Sequence, residues 1–311
     1  MRQSGFRLAA VAAMVLTISI GVPPEPTRFW NALFDVGHVL LFIAITTALA
    51  DLFARSQPQL SSRAVVGRTV AVALALAAGT ELVQSLEPHR DAAFADLLRD
   101  AAGMTIALLL RRGRLPRIGV ARRLTAGLLG VAVLTPLGAV AGMYVQRNRA
   151  VPVVIPLNGS SWARRLLSFH DAELIPGGCE TFGSPGTDPL VRLSVHPGTY
   201  PGFFLNEPYP DWRAFHRLVF RAAVEGAQPI TLTLRIHDAQ HDAERDQRYT
   251  DRFNTALTIT PGVHRFEIPL DTIRLAPLDR EMDLGQIRGI GVFAYKLSLT
   301  RQVCLSAFRL E

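Results

Sequence analysis

Apolar residues along this chain follow two rhythms, and the change of rhythm divides it. Up to about residue 145 they come in long runs, at 8–22, 33–50, 64–86, 92–110 and 124–145. As helices the last four are each long enough to cross a hydrocarbon core of about 30 Å, with those at 33–50 and 92–110 near the short limit. The run at 8–22 follows Arg2 and Arg7 and reads as a signal-peptide core or an anchor. It lacks an A-x-A cleavage signal, so a retained helix is expected. Beyond residue 150, short segments at 190–195, 218–224, 230–236, 256–260, 264–269, 287–294 and 303–310 alternate apolar and polar residues. Glu225-Gly226 and Pro261-Gly262 supply turns between some of them. Seven or eight short strands in roughly 160 residues predict an antiparallel, jelly-roll-like sandwich. The expected fold class is a multi-domain membrane protein, an α-helical transmembrane bundle of about five helices plus an all-β sandwich. Its expected domains are 1–118, then 119–150 for the fifth helix and tether, then 151–311 for the sandwich. The Pro-punctuated stretch 151–157 reads as tether too.

Charge sets the expected orientation. The first 150 residues carry 16 Arg against 8 acidic groups, the remainder 17 basic against 18 acidic. Arg55, Arg63 and Arg68 mark one loop, and Arg111, Arg112, Arg114, Arg117, Arg122 and Arg123 another on the same side. The opposite loops hold only Arg28 and Arg90. By the positive-inside rule the N-terminus is cytoplasmic and the sandwich extracytoplasmic, in a multi-pass protein of the cell (inner) membrane. Arginines in short clusters between apolar runs argue against nucleic acid as a partner, despite a net charge of +7. Cys179 and Cys304 lie near the two ends of the β region. They are a disulfide candidate in an oxidising compartment, the alternative being two buried thiols.

Polar side chains interrupt the apolar runs in a pattern. Asp35 and His38 lie in one run, Glu81 and Gln84 close the next, and Asp96, Asp100 and Gly103 open the one after at helical spacings. A short turn with Pro88, His89 and Arg90 joins the last two, so their polar faces can meet near the outer leaflet. An Asp within a span costs about 3 kcal/mol, so such groups are read as functional or, alternatively, as interhelical hydrogen-bond glue. Residues 8–111 resemble the VanZ-like family of small helical membrane proteins. Its pattern is a helix bearing His, then E-x-x-Q, then R-x(5)-D-x(3)-N-x-x-G, matched here by His38, Glu81, Gln84, Arg90, Asp96 and Gly103. The chain departs from it with Asp35 where Lys is frequent, Phe42 where Tyr is common, and Asp100 at the Asn position. The resemblance implies a membrane protein of a family tied through its namesake to glycopeptide antibiotic resistance, with no generally established reaction. No cofactor is evident. The acids beside His38 and Arg90 could hold a divalent cation against a lipid phosphate, or share protons among themselves.

In the second half, DWRAFHRLVFRAAVEG, ITLTLRIHDAQ and RFNTALTITPGVHRFEIPLDTI resemble the sandwiches of carbohydrate-binding modules and galactose-binding-like domains. The resemblance covers residues 188–311 and implies glycan binding. Sugar sites use flat aromatic faces beside polar groups, so Tyr200, Tyr209, Trp212 and Tyr249 are the candidates, near Asp211, Asp238 and Asp251. Trp212 reads alternatively as core. The run 237–254 holds two His and four Asp at spacings that fit neither a Ca²⁺ loop nor a zinc site, and reads as a solvated loop. No G-x-S-x-G, H-E-x-x-H or phosphate-cradling loop occurs. Three readings of function follow: a binder of an envelope polysaccharide, glycolipid or amphiphilic small molecule with membrane lipid as a partner, an enzyme on a lipid-linked phosphate or sugar, and a non-catalytic scaffold. The orientation has a direct test. A reporter active only outside the cytoplasm, fused at residue 150, is expected to be active; an expressed but silent fusion refutes the topology.

Overall fold

A computed structural model describes residues 27–84, 94–111, 116–157, 159–175, 178–179, 182, 189–224 and 226–311. The first apolar run, Pro88, His89, Arg90 and Glu225 lie outside the described residues. The chain divides into two units, residues 1–142 and 143–311.

The first unit is helical, with α1 Arg28–Ser56, α2 Ser62–Gln84, α3 Phe94–Leu110 and α4, which begins at Pro116 and runs to Arg149. Thr27 starts α1, its hydroxyl accepting a hydrogen bond from the Trp30 N–H at 3.3 Å. Leu41, Phe42, Ile45 and Leu49 of α1 pack with Ala73 and Ala77 of α2 and Met104 of α3. At Gly103 a Cβ would lie 2.5 Å from the Val39 carbonyl oxygen, so only glycine permits this approach of α3 to α1. Residues 28–56, 62–82 and 119–149, at 29, 21 and 31 residues, are long and apolar enough to cross a membrane. The described part of helix α3, Phe94–Leu110, covers 17 residues of the expected run at 92–110. Pro136 sits inside α4 without ending it.

The second unit is an antiparallel β-sandwich. Its strands are β1 Val153–Ile155, β2 Leu167–His170, β3 Ala172–Ile175, β4 Val191–Val195, β5 Gly202–Asn206, β6 Arg217–Val224, β7 Ile230–Asp238, β8 Phe253–Ile259, β9 Gly262–Pro269, β10 Ile287–Phe293, β11 Arg301–Leu305 and β12 Phe308–Leu310. Short helices α5 Ser161–Leu166, α6 Ala239–Ala243 and α7 Leu270–Arg274 punctuate them. One sheet runs β1-β12-β6-β11-β4-β3, with β9 also paired to β6; the other runs β2-β5-β10-β7-β8. Aromatic rings join the sheets: Phe203 meets Phe308 edge-on at 6.5 Å, and Phe308 stacks on Phe220 at 4.1 Å. Each such ring, fully withdrawn from water, contributes about 2–3 kcal/mol.

Two expectations are corrected here. Residues 151–157 are not a tether, because β1 pairs with β12 and Val154, Ile155 and Leu157 are buried. Three core-facing aliphatic side chains outweigh the proline punctuation. The segment 303–310 is two strands: the backbone leaves the ladder at Ser306, whose hydroxyl accepts from the Arg221 N–H at 2.8 Å. Strands β1, β2, β3 and β5 were not apparent in the sequence, being only three to five residues long. Gly202, opening β5, has φ +159°, and a Cβ there would stand 2.2 Å from the Val292 oxygen.

Cys179 and Cys304 are joined by a disulfide across 125 residues, buried with Leu190 and Ala223. A loop of that size is stabilised by about 3–5 kcal/mol on closure. Thermal unfolding of the full-length chain should therefore shift to lower temperature when reductant is added. An unchanged transition in a chain verified as reduced refutes this.

Candidate binding cleft

The β2-β5-β10-β7-β8 sheet owes its two faces to strand alternation. Along β7, Leu232, Leu234 and Ile236 point into the core, so Thr233, Arg235 and His237 point the other way. In β5, Phe203 and Leu205 are buried while Phe204 and Asn206 face outward. In β10 the outward positions are Gly289, Gly291 and Phe293. Around this outer face lies a cleft of about 1080 Å³.

Its floor depends on the two glycines. A Cβ on Gly289 would stand 2.2 Å from the His237 ring, and one on Gly291 2.8 Å from the Phe204 ring. Their absence lets side chains of flanking strands lie flat across β10. Phe204 stacks on Phe293 at 5.5 Å, Phe293 meets Tyr200 edge-on, and Tyr200 lies against Tyr295 at 5.5 Å. Tyr200, Tyr249 and Tyr295 are 53%, 67% and 57% exposed, with Arg252 standing over one face of Tyr249 and Lys296 over one face of Tyr295. Ser168, Thr233, Asn206, Gln247 and Asn254 add hydrogen-bonding groups among them.

The run 237–254 is solvated at 245–250, where every residue is exposed, but its flanks are not, and this is a further correction. Asp238, His241 and Asp251 are buried. Arg280 reaches Asp238 through Nη1–Oδ2 at 2.5 Å and Nη2–Oδ1 at 2.8 Å, and Asp251 through Nε–Oδ1 at 2.6 Å and Nη2–Oδ2 at 2.9 Å. Asp238 also accepts from the His241 and Asp283 backbone N–H groups, and His241 Nδ1 lies 3.2 Å from Asp251 Oδ2. Burial alone would raise the Asp238 carboxyl, but Arg280 and the backbone donors hold it below the usual carboxylate range. Arg280, ahead of burial, does the same for Asp251. This network fixes α6 and the 3₁₀ turn Tyr249–Asp251, and so presents Asp242, Gln247, Tyr249 and Arg252 to the cleft.

Of the aromatic candidates, Tyr200 and Tyr249 line the cleft. Trp212 is fully buried, its indole N–H donating to the Tyr209 carbonyl at 2.7 Å, and neither residue reaches the cleft. Asp211 is paired with Arg213. Tyr295, Phe293, Arg235 and His237 were missed as candidates. Their signal was the alternation of ITLTLRIHD and the Gly-Ile-Gly inside β10.

In the helical unit, His38 Nδ1 lies 3.2 Å from Asp100 Oδ1, both side chains buried. Asp96 and Glu81 lie within electrostatic reach of the same ring. Asp35 instead pairs at 2.9 Å with Arg99, which also binds Asp96. Arg99, overlooked in the sequence pattern, makes this cluster less acidic than expected. The Gln84 side chain and all of Arg90 lie outside the described residues. Among the described residues no group of three His, Cys, Asp or Glu is placed to hold a metal ion.

Fold and site together define a sandwich with an open, aromatic and polar cleft on one sheet, joined to a helical unit. No protein family model matches the sequence. No curated protein matches it either. Among solved structures, an agarase is similar at 15% identity and a TM-score of 0.38, over 52% of this chain and 26% of the agarase. This chain thus matches about a quarter of that enzyme's length. The family 11 carbohydrate-binding module from Clostridium thermocellum, in complex with a β-1,3-1,4-mixed-linked tetrasaccharide, is similar at 13% identity and a TM-score of 0.32, over 46% of this chain and 81% of the module. The family 30 module of a cellulosomal cellulase from the same organism is similar at 17% identity and a TM-score of 0.31, over 51% and 92%.

Arg280→Met leaves two buried carboxylates without their counter-ion and is expected to destabilise the sandwich by about 3–5 kcal/mol. Because both carboxyls are depressed in the folded state, their contribution is present above the unfolded carboxylate pKa. It is lost as pH falls through the folded values, below about pH 4. Unfolding measured from pH 7 down to 3 should show wild type converging on the variant. Parallel curves refute the role given to Arg280.

Proposed function

We propose that this protein binds a polysaccharide in the cleft on the outer face of the β2-β5-β10-β7-β8 sheet. The observation that carries the reading is three exposed tyrosines standing over a floor of polar side chains on a rigid sheet. Sugar rings offer apolar C–H faces and hydroxyl edges, and such a surface answers both. The helical unit holds the chain in the cell membrane and the sandwich lies on the extracytoplasmic side. Three helices of spanning length support the first point, and a disulfide suits the second. Within the helices, the buried His38–Asp100 pair joins two positions of the VanZ-like pattern. We read it as a polar site that meets the head of a membrane lipid.

The test uses the full-length chain in a sugar-free zwitterionic detergent, because alkyl glycosides would compete for the cleft. Affinity electrophoresis through soluble envelope and plant polysaccharides should retard the protein on at least one of them. Tyr200→Ala and Tyr295→Ala should each weaken that binding by about five- to tenfold. Absence of retardation on every polymer, or tyrosine variants that bind like wild type, refutes the reading.

A further inference from the structure

Two arginines in the cleft have no acid to answer them. Arg235, on the outward face of β7, and Arg252, immediately before β8, both line it. Among the described residues neither guanidinium has a carboxylate within 4.0 Å, and the Nε of each is buried without a hydrogen-bond partner. Arg280, by contrast, is satisfied by two carboxylates. Arg235 and Arg252 instead repel one another, and burial together with that repulsion brings the Arg235 group down to about 10. Withdrawing a guanidinium from water beside a like charge, with no ion pair, costs free energy.

The other ionisable groups of the cleft leave the pair in place. Asp242 attracts Arg235 from beyond ion-pair distance and lies nearer His237, at 3.9 Å. His237 is kept uncharged, its pKa lowered to about 3 by burial and by Arg235. Asp171 packs its carboxylate against Gly198. Tyr249 lies beneath the Arg252 guanidinium, 5.5 Å from ring centroid to Cζ, which steadies that group without neutralising it. A planar fork of unused N–H donors suits a carboxylate or a sulfate, which it can grip with two parallel bonds.

Resting on the glycan-binding reading above, we propose that the polysaccharide taken by this cleft is anionic, with a uronate or sulfate group seated against Arg235 and Arg252 while neighbouring rings lie on the tyrosines. The anion supplies the counter-charge the fold omits.

Binding of the full-length chain to three pairs of oligosaccharides decides it: oligogalacturonate against its methyl ester, oligoguluronate against its methyl ester, and a sulfated galactan against the desulfated polymer. Within at least one pair the charged member should bind about tenfold more tightly, an advantage that shrinks between 50 and 300 mM salt. The responding pair tells carboxylate from sulfate. The double variant Arg235→Gln, Arg252→Gln should erase the difference, whereas Arg235→Lys should keep most of it. If neutral members bind as well as charged ones, the anionic inference fails and the glycan-binding reading stands. If no saccharide of either kind binds, that reading fails and takes the inference with it. The wild-type comparison keeps the test decisive should a variant not fold.

Discussion

A single guanidinium, that of Arg280, ties together three segments that the chain order keeps apart: the end of β7, the 3₁₀ turn before β8, and the approach to β10. Its two carboxylate partners are nearly inaccessible to water, where an unpaired charge would be very costly. The geometry is therefore strongly specified: four nitrogen-to-oxygen contacts at or below 2.9 Å leave the turn one place to be. Tyr249 and Arg252 flank Asp251 on either side in sequence, so the wall of the cleft inherits the rigidity of the buried ionic group.

The other half of the cleft is built by omission. Strand β10 contributes Gly289 and Gly291 to the outward face, and the space left there is taken by the His237 and Phe204 rings from its neighbours. On the reverse face the same strand carries Ile290 and Val292 into the core. One strand thus anchors the sandwich and flattens the platform, because side chains alternate with a period of two. The aromatic chain Phe204–Phe293–Tyr200–Tyr295 then runs from the sheet to the rim, ending in rings open to solvent.

The helical unit settles its polar groups differently. His38 and Asp100 answer each other across α1 and α3, close to where Gly103 lets the two backbones approach. Asp35 and Asp96 share Arg99. Between helices an unpaired acid is expensive, and each of these contacts removes part of that cost. Asp96 and Glu81 also stand within electrostatic reach of the His38 ring.

The sequence by itself determined the division into a helical and a β unit, because run length and alternation are local properties that follow from how much surface each element buries. It located seven of the strand segments, and it picked out Tyr200 and Tyr249. Local pattern did not reveal β1, β2, β3 and β5, whose three to five residues pair only with partners distant in the chain. Nor did it assign Trp212 to the core, separate Asp238 and Asp251 from a solvated loop, or supply Arg99 and Arg280 as partners. Those outcomes turn on which groups from remote positions arrive within about 3 Å, a matter of register and packing. Tertiary structure alone brought Arg235 and Arg252 to one cleft and kept every acid of the described chain beyond ion-pair distance from them, because the pleat that sends their neighbours into the core sends them out together.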